Sequence, residues 1–161
     1  MGFTLSSSGM AAHVSATVGR ATAQLISLFR FRHLNSHIKL ILYKTLVLPL
    51  LLYPPVPLNA ANKTNMSKLQ RVQNKAIRFI TNTSRREHIT SVELHRRVGL
   101  EPINVLLHRR ALSVWRSLRQ IGDPILPILE MNHAELSPQQ KKLFPPALLA
   151  PDEPTPPPQY L

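Results

Sequence analysis

Apolar residues return at intervals of three and four along most of the first 121 positions, and those intervals mark out helices. Over 12–31 the stripe is Val14, Val18, Ala21, Leu25, Leu28 and Phe29. Asn35 or Ser36 suits the cap of a second helix through Ile38, Ile41, Leu42 and Thr45, which the spacing ends near Pro49. The stretch LLLYPPVPLNAAN that follows reads as Pro-rich extended chain. Asn62 or Thr64 opens a third helix that places Met66, Leu69, Val72, Ala76, Ile77 and Ile80 on one side and frays near Asn82-Thr83-Ser84. Thr90-x-x-Glu93 has the spacing of a capping box, and Gly99 is placed to stop the short helix it starts. Pro102 suits the first turn of a last helix with Ile103, Leu107, Ala111, Val114, Leu118 and Ile121 in one stripe, Trp115 beside it and Gly122 at its end.

Period-two alternation is missing at any length, and only Gly2-Phe3-Thr4-Leu5 is a short β-capable piece. The predicted fold class is therefore all-α: a small bundle of about four to five helices with a short strand-like N-terminus. From Gly122 the composition changes, because ten of the 15 prolines lie between Pro124 and Pro158. The sequence thus divides into a helical domain over 1–121 and a Pro-rich tail over 122–161, read as flexible or polyproline-like. The tail ends in Pro157-Pro158-Gln159-Tyr160, the Pro-Pro-x-Tyr ligand type that docks into the aromatic groove of a WW-type domain.

Charge sharpens the picture. The formal net charge is +12, and it is concentrated at one end: 1–86 carries 12 Lys and Arg and no Asp or Glu, whereas 122–161 carries two against five. A segment of that length without a carboxylate cannot neutralise itself, so its field favours a polyanion such as nucleic acid. On the third helix Lys68, Arg71, Lys75 and Arg78 repeat at steps of three, four and three, away from the apolar stripe. Such a line is either a solvated face or a phosphate-binding face, and the acid-free first half of the chain favours the second. Arg85 and Arg86 extend the track just past the helix end.

Several function classes fall away. The chain has no cysteine, which removes disulfides, thiolate metal sites and a thiol nucleophile. Its seven histidines are scattered, with His88 and His95 the nearest to a pair, so no metal site is predicted. No Asp pair is placed to hold divalent metal, no Gly-rich loop precedes a helix, and no Ser/His/Asp set stands out, so no catalytic residue is assigned. The longest uncharged apolar run, Thr45 to Leu58, is 14 residues and holds four prolines, too short and broken for a membrane span. The first 32 residues are acid-free, with Ser and Arg, and superficially match a mitochondrial transit peptide, yet the expected location is nuclear or cytoplasmic.

The order of several short pieces adds a family expectation. Leu42-Tyr43-Lys44, Pro49-Leu50-Leu51-Leu52-Tyr53, LQRVQNKAIRFIT over 69–81, Glu93-Leu94-His95 and Leu100-Glu101-Pro102-Ile103 follow the strand-like start in an order that resembles the C-terminal part of reverse transcriptases encoded by jockey-like non-LTR retrotransposons. The likeness spans roughly 1–120, and its most specific element is LQRVQNKAIRFIT. The resemblance implies a helical thumb and post-thumb connection, which in that family cradles the template-primer, an RNA/DNA or DNA duplex. It also implies a fragment or remnant of an RNA-directed DNA polymerase. The palm's Tyr-x-Asp-Asp loop is absent here, so no polymerase activity is expected from this chain alone, and Mg would belong to the missing palm. Lys68, Arg71, Lys75, Arg78, Arg85 and Arg86 are then the expected phosphate contacts, and self-association is expected through apolar stripes that a palm would otherwise cover.

Overall fold

The structure is a computed structural model that describes residues 10–59, 61–84, 86–122 and 124. The strand-like reading of Gly2–Leu5 and the readings made of the tail from 125 onward lie outside the described residues, as do Arg85, Pro157, Pro158 and Tyr160. Within them the chain is all-α, with no strand.

Helix α1 (Met10–Leu28) runs into a 3-10 turn, Phe29–Phe31. It buries Val14, Ala21, Leu25 and Leu28, the face its periodicity predicts, together with His13 and Thr17. Helix α2 (Ser36–Leu42) starts at Asn35, whose side chain accepts the Ile38 N–H at 2.9 Å. It continues without a break through a π-helical turn, Tyr43–Val47, into α3 (Leu48–Leu51). A short α4 (Pro55–Asn59) follows a cis Tyr53–Pro54 bond. Helix α5 (Lys63–Thr81) is the spine: it packs on α1, α2, α6 and α7. Helices α6 (Ser91–Val98) and α7 (Ile103–Ile121) complete the bundle, with α7 laid against α4 and α5.

The local sequence explains α5. It contains neither Gly nor Pro, Asn62 caps it by accepting the Asn65 N–H at 2.9 Å, and Asn82 closes it in the left-handed region at φ 55°. All six positions of its predicted stripe are buried. Gly99 and Gly122 cap α6 and α7 at φ 63° and 70°, where a side chain would be strained.

Three features depart from the periodic reading. The second helix buries Lys39, Tyr43, Val47 and Leu51, whereas Ile38 and Ile41 are 39% and 44% exposed. A lysine in the buried register is invisible to a hydrophobic pattern. Here its ammonium is met by Asn82 Oδ1 at 2.6 Å and by the face of Phe79, 5.2 Å from the ring centroid. Nor does that helix end at Pro49. The Leu48 N–H returns five residues to Tyr43 O, and the widened turn makes a fresh start at which Pro49, in the first turn of α3, needs no donor. Finally, LLLYPPVPLNAAN is not extended throughout, because Pro55 and Pro57 sit in the first turn of α4, where helical N–H groups have no partner in any case. Leu58 of that turn is fully buried.

The C-terminal helix shows a smaller shift. Trp115, read as lying beside the stripe, is buried, while Val114 and Ile121 of the stripe itself are 37% and 78% exposed. The larger ring takes the seam because it removes more apolar surface from water.

Candidate nucleic-acid interface

The polar side chains of LQRVQNKAIRFIT divide between two faces of α5. Gln70, Gln73 and Asn74 point into the junction with α6 and α7. Gln73 is fully buried, and its Nε2 donates to Glu101 O at 2.9 Å. Its Oε1 accepts from Gln70 Nε2 at 3.0 Å, while Gln70 Oε1 accepts the Ile103 N–H at 3.0 Å and so supplies the cap that Pro102 cannot. Asn74 Nδ2 donates to Ser91 Oγ at 3.1 Å, and His95 Nε2 lies 2.9 Å from Gln70 Nε2. The other ring nitrogen of His95 is 2.8 Å from Leu100 O, which fixes it as the N–H and leaves Nε2 to accept from Gln70. Gln70 and Gln73 latch the loop between α6 and α7 onto the spine, and Asn74 ties the first turn of α6 to the same latch.

A buried neutral imidazole makes this latch sensitive to acid. Burial pushes the His95 pKa down from the ordinary value, against a smaller upward pull from the Leu100 carbonyl; burial and the nearby Arg20 do the same at His13. Both histidines are therefore neutral in the fold and take up protons more readily when it opens. Their contribution is fully present above about pH 6.5, the unfolded value, and is lost as pH falls through the lowered folded values. The urea midpoint should be level above pH 7 and fall steadily from pH 6.5 toward pH 5, and His95→Gln should flatten that decline.

The opposite face of α5 carries the basic line. Arg71 is exposed, and Lys68 and Lys75 are partly exposed. No carboxylate lies on this helix, and the ion pairs among the described residues draw on Glu93 and Glu101, with Arg96, Arg97 and Arg109 as partners. Arg96 and Arg97 hold the Glu93 carboxyl down to about 2. Lys68, Arg71 and Lys75 are thus left without a carboxylate within ion-pair distance among the described residues. Lys68 to Lys75 covers about 10 Å of helix axis, close to the rise of three nucleotides of one strand.

One of the predicted contacts, Arg78, is engaged within the chain, and Arg86 stands exposed just past the helix end as expected. Arg78 turns back on the chain: Nη1 donates to Ser84 O at 2.8 Å and Glu87 O at 3.4 Å, and Nη2 donates to Ile89 O at 3.2 Å. It is a clasp for the loop between α5 and α6, because a guanidinium with several fixed donors suits a set of convergent carbonyls. Arg86 is exposed on that loop, where its N–H donates to Ser84 Oγ at 3.2 Å.

Tertiary packing adds residues that no single helix reveals. Lys75 Nζ stands 5.6 Å over the Phe29 ring, and Phe29 and Phe79 pack at 5.3 Å between centroids with a tilt of 39°. They border a cleft of about 400 Å³ formed with Arg32, Arg78, Asn82, Thr83 and Ser84. Phe79 carried a weak sequence signal, an aromatic off the apolar stripe of α5; the pairing with Phe29, fifty residues away, carried none.

Among the described residues no group of three His, Asp or Glu side chains is placed to hold a metal ion, and no helix is long and apolar enough to cross a membrane. No protein-family model, curated protein sequence or solved structure matches the chain.

Proposed function

We propose that this chain is a non-catalytic nucleic-acid-binding piece that holds a template-primer duplex through its phosphates, and that it is a fragment or remnant of a jockey-like retrotransposon reverse transcriptase whose palm is missing. The observation that carries the binding is the line of Lys68, Arg71 and Lys75 on an acid-free helix, with no carboxylate partner among the described residues. A face of that kind attracts a polyanion by counterion release and positions it without reading bases. The family assignment rests on the likeness of LQRVQNKAIRFIT and the pieces around it.

Ile38, Ile41 and Leu46 form an exposed apolar row, and self-association of the isolated chain is proposed to run through it. Binding of the purified chain to a labelled RNA/DNA primer-template across a salt series tests the main reading. The slope of log affinity on log salt should have a magnitude of about 3 or more. A slope near zero removes the phosphate track.

A further inference from the structure

The basic line of α5 does not end on open surface. Lys75, its last outward-facing member, borders the cleft between the 3-10 turn and the C-terminal end of α5, and the cleft's composition differs from that of the track. Two aromatic rings line it alongside Arg32 and Lys75, and no acidic residue does. Behind its wall lies Lys39, fully buried, with Asn82 Oδ1 and the Phe79 ring as its partners and no carboxylate within ion-pair distance among the described residues. The nearest carboxylate on the adjoining loop, Glu87, is engaged with the Ser84 N–H at 2.8 Å.

Arg32 and Lys75 border the cleft with no acidic residue in its lining, and an anion complements such a site. The rings ask for something besides an anion. Aromatic faces next to cations take a planar π-system carrying negative charge, which is the chemistry of a nucleotide. At about 400 Å³ the cleft falls in the size range of small-ligand sites. The bases inside a duplex are covered on both faces by their neighbours, so an unpaired base at a strand end is the one that can enter it.

We infer that the Phe29–Phe79 cleft holds an unpaired nucleotide at the end of a strand that the α5 track delivers, with the base against the rings and its phosphate against Arg32 and Lys75. The inference rests on the duplex-binding reading, and it adds what that reading lacks, a preference for a duplex with a single-stranded end. Stacking of one base on an aromatic ring accounts for about a tenfold gain in affinity, and it depends little on which base is present.

The test uses the full chain and three labelled duplexes of the same paired length: one blunt, one with a four-nucleotide overhang, and one with an abasic overhang of the same length and charge. The base-bearing overhang should bind about tenfold more tightly than the abasic one. Phe29→Leu, which keeps an apolar side chain and removes the ring, should erase that difference and leave blunt-duplex affinity unchanged. Arg32 is exposed, so Arg32→Glu leaves the fold intact and should weaken both overhangs more than the blunt duplex. Equal binding of base-bearing and abasic overhangs overturns the inference while the duplex reading stands, because the cleft would then be a continuation of the phosphate track. A base-dependent gain with no salt-dependent binding of the blunt duplex would instead keep the cleft and remove the duplex track.

Discussion

Replacing Gln73 with Leu lowers the melting temperature by roughly 5 °C, or about 1–2 kcal/mol of stability, although the substitution adds apolar surface to a buried site. Gln73 is fully buried at the centre of the latch, where its two polar atoms serve Glu101 O and Gln70 Nε2. Leucine fills a similar volume and leaves the Glu101 carbonyl without its donor, while Gln70 Nε2 keeps Asn74 Oδ1 and His95 Nε2 as acceptors. Such a group costs about 1–3 kcal/mol, and the latch loses its link between Gln73 and Gln70 as well. Arg71→Ala, two residues earlier on the exposed face, should leave the melting temperature within about a degree, since exposed substitutions shift stability little. Thermal melts followed by circular dichroism measure both. A Gln73→Leu chain as stable as the parent would mean that the latch is dispensable, and that Gln70, Gln73 and Asn74 serve something other than the fold.

The same helix shows how far the sequence could be read. The Met66-to-Ile80 stripe was legible because each of its members faces the core through its own hydrophobicity, a local property that repeats with the helical period. The caps at Asn62, Thr90, Gly99 and Gly122 were legible for the same kind of reason, since each is set by a backbone conformation that few residue types satisfy. Lys39 was not legible. Its burial depends on Asn82, forty-three residues later, and on Phe79, so its register is decided by a partner that α2 does not contain. The clasp that Arg78 forms was not legible for a related reason. A helical wheel places Arg78 in line with Lys68, Arg71 and Lys75, but Ser84, Glu87 and Ile89 supply three carbonyls to its guanidinium. Charge at helical spacing says which side of a helix a residue occupies, and the chain beyond the helix decides whether that charge faces outward.

Triple reversal at Lys68, Arg71 and Lys75 follows from that distinction and should produce the largest change in binding. Each phosphate that is no longer neutralised takes roughly 0.9 off the magnitude of the salt slope on B-form DNA, so Lys68→Glu, Arg71→Glu and Lys75→Glu together should reduce it by about 3. The affinity for a blunt duplex at low salt should fall at least about a hundredfold, because three carboxylates now face the phosphates that three cations met. None of the three side chains forms an ion pair within the chain among the described residues, so the melting temperature should move far less than in Gln73→Leu. Arg78→Ala should divide the two properties the other way. It releases Ser84 O, Glu87 O and Ile89 O and loosens the loop between α5 and α6, which costs stability while the exposed cations keep their positions. A salt slope that survives the triple reversal would place the duplex on another face of the bundle. A slope that collapses with Arg78→Ala alone would mean that the track is held in place by the loop that Arg78 clasps.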